Sequence, residues 1–161
     1  MYVPFHHLPP LARIWIYQAD RPLTDAELAA IEPQLVAFAN DWTSHGRTLA
    51  ASAVVLHQQF LVVGLDEELA DASGCSIDAS VRFVRQLEAQ LGVSLLEKSR
   101  LAFLVDGQVQ LVDRRELRAA VAAGTLTPDT PYFDATATDK HALTAAFPAA
   151  AGSTWLARYF A

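Results

Sequence analysis

The sequence has little cysteine, and this shortage excludes several classes of protein. Its 161 residues include one cysteine, Cys75, so the chain can form neither an intramolecular disulfide nor a zinc site built from several thiolates. The N-terminal residues also lack the basic start and the unbroken apolar stretch of a secretory signal peptide. Since nothing requires an oxidising compartment, we expect a cytoplasmic protein.

Long apolar runs and a basic surplus are missing as well. The longest apolar runs, at 50–56 and 60–65, are much shorter than the roughly 18 residues that cross a bilayer, so we expect no membrane span. Acidic residues number 18 against 12 basic ones, which gives a net charge of −6. Because such a surface repels a phosphate backbone, we expect no nucleic-acid partner.

The apolar pattern that is present predicts strands and helices in the order β-α-β-β-α-β. Extended runs occupy 13–18, 49–56, 60–65 and 101–105. Thr24 and Glu27 form a capping box that begins the first helix, and Ser76 or Asp78 is expected to begin the second. This order predicts an α+β fold, a ferredoxin-like βαββαβ sandwich.

The rest of the chain is expected to extend this core. Asp106-Gly107 favours a tight type I′ hairpin, because both central positions of that turn need a positive φ. We therefore expect a single domain over 1–161, with a lead-in at 1–11, an α+β core at 12–112, and a C-terminal hairpin and helix extension at 113–161.

Several segments resemble a family of uncharacterised bacterial proteins of about this length, often labelled "ABC transporter ATPase". They are residues 12–21, Trp42 with His45-Gly46, residues 73–78, and Trp155. The label implies a Gly-rich phosphate loop that ends in Gly-Lys-Ser/Thr. The only lysines, Lys98 and Lys140, follow acidic residues, so the sequence contains no such loop. We therefore expect no ATPase activity.

The last third also resembles the GYF-type peptide-binding modules. The likeness rests on Asp106-Gly107, the predicted helix at 116–123, Gly124, and the Thr-Pro-Tyr-Phe sequence at 130–133. It implies that the C-terminal extension contains a small interaction part that binds a protein partner.

Three residues are candidates for nucleophilic catalysis. Cys75 follows Gly74 at the expected start of a helix, where the dipole can lower a thiol pKa. His45 is a candidate base, and Asp78 or Asp71 a candidate for orienting its imidazole. The structural alternative is an inert, buried Cys75 in a capping loop, with His45 in the last turn of the first helix and Gly46 in the left-handed conformation.

Other residues are candidates for binding a ligand. Trp15, Tyr17 and Trp42 either line a pocket or form part of the core. The loop that contains Ser73, Gly74 and Ser76 is a candidate anion cradle. His6 and His7 are adjacent and lack the spacing of ligands on one helix face, so we expect no metal site and no cofactor.

The function that these patterns favour is binding without catalysis. No catalytic motif is complete, so we expect a binding or interaction protein for a protein partner or a small ligand, with a homodimer formed through an exposed sheet edge or face. The alternative is a cysteine-dependent hydrolase or transferase that uses Cys75 as its nucleophile.

Overall fold

The structure is a computed structural model that describes all 161 residues, and it contains two compact units. Unit 1 comprises Met1–Leu96 and Thr138–His141, and unit 2 comprises Glu97–Ala137 and Ala142–Ala161. Both combine helices with antiparallel sheet, which agrees with the predicted mixture of helix and strand. The single domain over 1–161, with an α+β core at 12–112, stays a prediction; the first break between the two compact units falls after Leu96. No helix is both long and apolar enough to cross a membrane.

Unit 1 is built on a three-stranded antiparallel sheet. Its elements are β1 (Arg13–Gln18), α1 (Asp25–Asp41), β2 (Thr43–Ser44), β3 (Arg47–Thr48), β4 (Ala50–Leu56), β5 (Phe60–Asp66) and α2 (Gly74–Leu91). The strand order is β1-β5-β4. Val63 of the central strand β5 therefore lies opposite Trp15 of β1 on one side and opposite Ala53 of β4 on the other. Alternate residues point to one face. On that face, Tyr17, Ala53 and Val63 join a core with apolar residues of α1 and α2.

Helix α1 begins where the sequence predicts and ends earlier than expected. The Thr24 side chain accepts the Glu27 N–H, and the Glu27 side chain accepts the Thr24 N–H, which completes the capping box. The helix ends at Asp41 with Trp42 as its C-cap. His45 and Gly46, which were predicted to end the helix, instead form the turn of the β2–β3 hairpin, with φ angles of 50° and 75°. The left-handed conformation predicted for Gly46 is confirmed, although it serves a different element.

Helix α2 begins before the predicted N-caps. Its N-cap is Ser73, whose side chain accepts the Ser76 N–H, while the Ser76 hydroxyl accepts the Ser73 N–H at 2.7 Å. Ser76 therefore completes a capping box inside the helix instead of preceding it. Asp78 lies in the second turn. The helix ends at Leu91, and its C-cap Gly92 has a left-handed φ of 65°.

Unit 2 contains a four-stranded antiparallel sheet of order β7-β6-β8-β9. In chain order, its elements are β6 (Arg100–Val105), β7 (Gln108–Asp113), α3 (Leu117–Ala122), β8 (Pro131–Phe133), α4 (Lys140–Ala145, which begins in unit 1) and β9 (Ala149–Ala150). Asp106 and Gly107 have φ angles of 51° and 76°, which confirms the predicted hairpin. Three short 3-10 helices, Arg114–Glu116, Ala151–Ser153 and Trp155–Tyr159, complete the unit.

The ferredoxin-like arrangement is not confirmed, because the fourth predicted strand lies in the second sheet. Strand β6 pairs with β7 on one edge and with β8 on the other, so neither of its edges is available to β1. The outer edge of β1 is instead contacted by Thr138, whose carbonyl accepts the Ile14 N–H at 3.0 Å, and by a bridge between Arg13 and Asp139.

Candidate functional site

A groove of about 660 Å³ opens in unit 1 beside α1, the start of α2 and the β2–β3 hairpin. Its apolar lining residues are Ala37, Phe38, Trp42, Ala79 and Phe83. Its polar lining residues are Gln34, Asp41, Thr43, His45, Ser73, Cys75, Ser76, Arg82 and Gln86. The groove therefore has an aromatic part and a polar rim that carries both charge signs.

The groove brings together many of the residues predicted as site residues. Those that border it are Trp42, His45, Ser73, Cys75 and Ser76. Trp42 and His45 come from the end of α1 and the hairpin turn that follows it. Ser73, Cys75 and Ser76 come from the start of α2, which lies beyond β3, β4 and β5 in the chain.

The other predicted site residues do not border it, and they are Trp15, Tyr17, Gly74 and Asp78. Trp15 is half-buried and packs edge-on against Trp42, with ring centroids 5.8 Å apart. Tyr17 is 6% exposed and belongs to the core, as in the structural alternative considered for it. Burial raises the pKa of the Tyr17 phenol, which therefore stays protonated at neutral pH.

Trp42 forms the floor of the groove and links its two helices. The side chain is 3% exposed, and its Nε1–H donates to the carbonyl of Ser76 at 2.8 Å. The C-cap of α1 is thereby attached to the first turn of α2. The Phe38 ring packs on Trp42 at 5.3 Å and is parallel to the Phe83 ring at 4.5 Å.

Cys75 is the second residue of α2 and is exposed, not buried as in the structural alternative. The capping box uses the Ser76 N–H, while the N–H groups of Gly74 and Cys75 have no acceptor within the chain. Such unpaired N–H groups and the helix dipole favour negative charge at this end of α2.

The predicted catalytic residues are only partly assembled. Cys75 and His45 border the same groove, but no hydrogen bond joins them. Asp78 is exposed and lies outside the groove, so it does not orient the His45 imidazole. No group of three or more His, Cys, Asp or Glu side chains in the chain is placed to hold a metal ion.

Sequence reasoning missed three residues that border the groove: Phe38, Phe83 and Arg82. Phe38 has the helical spacing of a core residue of α1, and an arginine such as Arg82 on a helix is usually solvated. Phe83 was not selected because it lies beside the stripe of α2 that contains the buried Val84 and Leu87. A large aromatic residue next to a core stripe, rather than within it, is the feature that would have indicated a lined groove.

Comparisons of the chain with models of protein families, with curated proteins and with solved structures found no match.

Proposed function

We propose that the chain is a non-catalytic binding protein whose α1–α2 groove takes a small organic ligand with a flat apolar body and one anionic group. The groove volume of about 660 Å³ lies within the range of roughly 300–1,000 Å³ that is usual for small-molecule sites. The observation that carries the proposal is the presence, in one groove, of an aromatic pair and an arginine without an ion-pair partner.

The aromatic pair would contact the apolar body of the ligand. Phe38 and Phe83 come from different helices, and their rings are stacked within 3° of parallel. Both are half-buried, so each retains surface that a ligand can cover. Flat apolar groups pack favourably against such rings, because they remove apolar surface from water and match the ring geometry.

Arg82 and the start of α2 would bind the anionic group. The Arg82 side chain is exposed and makes no ion pair or hydrogen bond in the chain. The unpaired N–H of Cys75 lies at the positive end of the α2 dipole. A carboxylate or sulfonate can accept hydrogen bonds from both groups, and hydrogen bonds to charged groups are stronger than neutral ones.

The alternative of a cysteine-dependent hydrolase or transferase has one supporting observation, which is that Cys75 and His45 border the same groove. Thiolate catalysis needs a base within hydrogen-bond reach and a third group that orients the base. Neither contact is present, so binding is the better supported function.

The test uses 8-anilinonaphthalene-1-sulfonate, which combines a flat apolar body with one sulfonate. We expect its fluorescence to rise on binding, and we expect it to slow the alkylation of Cys75 by iodoacetamide, since Cys75 borders the groove and is the only thiol. Arg82→Gln should weaken this binding at least about fivefold. Arg85→Gln is the matched control, because Arg85 is an exposed arginine on the same helix that does not border the groove.

Two results would count against the proposal. If the probe binds without protecting Cys75, or if both arginine variants behave alike, the probe lies elsewhere on the protein. A Cys75 that alkylates faster at neutral pH than free cysteine would instead support the hydrolase or transferase.

We also propose that the chain forms a homodimer through the outer edge of β4. Ala51 donates its N–H to the Met1 carbonyl at 3.0 Å and accepts the Val3 N–H at 2.7 Å, so this edge already pairs with an extended segment. That segment turns into the 3-10 helix Phe5–His7 directly afterwards, and the pairing goes no further. Ala53 and Val55 share the outward direction of Ala51, because backbone groups alternate along a strand, and no backbone hydrogen bond reaches them from that side.

Light scattering after size exclusion tests the dimer. We expect twice the mass of one chain at micromolar concentration, and a single-chain mass for Val55→Pro. That substitution removes an outward N–H while leaving the hydrogen bonds between β4 and β5 in place. A single-chain mass for the unchanged protein at 100 µM, on the order of the highest concentrations used in such work, would exclude the dimer.

A further inference from the structure

Unit 2 carries three arginines over two aromatic rings, which we call the arginine patch: Arg114, Arg118, Arg158, Trp155 and Tyr159. The guanidinium carbons of Arg114 and Arg158 lie 5.5 and 5.7 Å from the Trp155 ring centroid. Those of Arg118 and Arg158 lie 5.6 and 5.2 Å from the Tyr159 centroid. All four distances are within the roughly 6 Å over which a cation is attracted to an aromatic face.

Local periodicity assembles the patch. Arg114 begins the 3-10 turn before α3, and Arg118 lies in the first turn of α3, four residues later, which places the two side chains on one side. Trp155 and Arg158 are three residues apart in the last 3-10 helix, where side chains at that spacing nearly eclipse.

The three arginines have no partner of opposite charge in the chain. The side chains of Arg114, Arg118 and Arg158 are exposed, and none of them makes an ion pair or a hydrogen bond. The neighbouring Arg115 differs, since its Nε donates to Asp113 at 3.1 Å. A guanidinium that lies over a ring keeps its N–H donors in its own plane, where they remain available to a carboxylate.

The charge of the protein is unevenly divided between the two units. Unit 1 contains twelve acidic and six basic residues, and unit 2 contains six of each, so the whole net charge of −6 falls in unit 1. The arginine patch therefore lies in the unit whose acidic and basic residues balance, and not in the unit that carries the net negative charge.

We propose that the arginine patch docks an acidic segment of a partner protein. Its Asp or Glu carboxylates would accept paired hydrogen bonds from the guanidinium groups, and its apolar side chains would pack beside Trp155 and Tyr159. A protein segment fits better than nucleic acid, because the arginines already lie over the rings on which bases would stack.

Fluorescence anisotropy with a fluorescein-labelled dodecapeptide of alternating Glu and Ser tests the proposal on the full chain. We expect saturable binding that weakens as salt rises, because the contacts are exposed ion pairs. The triple variant Arg114→Gln, Arg118→Gln, Arg158→Gln should weaken binding at least about tenfold. Arg115→Gln, the matched control, should change it less than about twofold, since Arg115 is already paired.

A second variant keeps the test decisive if the triple variant unfolds in a circular dichroism check. Arg114→Lys, Arg118→Lys, Arg158→Lys keeps all three charges but removes the planar fork, so we expect a loss of several-fold. Failure of the unchanged protein to bind the peptide would overturn the proposal, as would full affinity in the folded triple variant. Tighter binding of a twelve-nucleotide oligothymidine at the same arginines would also overturn it, in favour of nucleic acid.

Discussion

Replacing Trp42 with phenylalanine should destabilise unit 1 strongly, because the indole both packs in the core and links two helices. The side chain is 3% exposed, and its Nε1–H donates to the Ser76 carbonyl at 2.8 Å. Losing this hydrogen bond costs about 0.5–1.5 kcal/mol. Losing the remaining ring atoms removes roughly two buried methylene equivalents at about 0.8 kcal/mol each, and the cavity left behind adds to this. We therefore expect Trp42→Phe to lower the free energy of unfolding by about 2–4 kcal/mol.

Fluorescence can follow this loss in unit 1 alone. The protein has three tryptophans, and Trp155 lies in unit 2. In a Trp155→Phe background, Trp15 and Trp42 both report on unit 1, and adding Trp42→Phe leaves Trp15 as the only reporter. Urea unfolding of the two proteins then gives the difference directly.

A loss of less than about 1 kcal/mol would refute the reasoning, because it would mean that neither the hydrogen bond nor the packing contributes as the geometry implies. Phe38→Leu is the matched control. It removes a half-buried ring that contacts Trp42 but leaves the link to Ser76 intact, so its effect should be the smaller of the two.

Two further predictions concern pH and close packing. Hydrogen bonds from Arg21, and then from the Thr24 backbone, lower the pKa of Glu27 from 4.5 to about 2. This stabilisation is complete above the usual pKa and is lost as the pH falls toward 2, so Glu27→Gln should flatten the pH dependence of the unfolding free energy between about pH 5 and 2. An added Cβ at Gly152 would lie 2.8 Å from the Pro128 Cβ and 3.1 Å from its carbonyl oxygen, so Gly152→Ala should cost about 1–3 kcal/mol in thermal unfolding. Gly74→Ala, where nothing lies within 4 Å, should leave stability unchanged or raise it by less than about 1 kcal/mol.

The features that the sequence predicts correctly depend on a few neighbouring residues. The capping box of Thr24 and Glu27 needs only two side chains three positions apart. The Asp106-Gly107 turn needs only two residues that accept a positive φ. Such local chemistry operates in any tertiary context, so it can be recognised without the fold.

The placement of the fourth strand shows where local information ends. Residues 101–105 form a strand, as their pattern predicts, but a strand pattern does not specify its partner. The choice was decided by Tyr132 and Phe133, which pair with Phe103 and Ala102 and bury their rings in unit 2. Those residues lie thirty positions away, and their pairing competes directly with the edge of β1.

The candidate site was partly predictable for the same reason. Cys75 was recognisable because Gly74 precedes it at a helix start, and His45 because a glycine follows it. Their shared groove was not predictable, since it depends on the early end of α1 at Asp41 and on the hairpin that follows. With one residue more or fewer in that hairpin, His45 would face a different neighbour.

Net charge is a guide to partners only over the region that carries it. Taken over the whole chain, the value of −6 argues against any polyanionic partner. Exposed charges more than about one Debye length apart, roughly 8 Å at physiological salt, hardly affect each other's binding.

At short range, whether each charged side chain has an ion-pair partner matters more than the net charge of the chain. Arg115 is neutralised by Asp113, while Arg114, Arg118 and Arg158 are not, so two sets of arginines that look alike in sequence differ in what they can bind. An acidic protein can therefore contain a site for an acidic ligand, provided that its unpaired cations are gathered at one place.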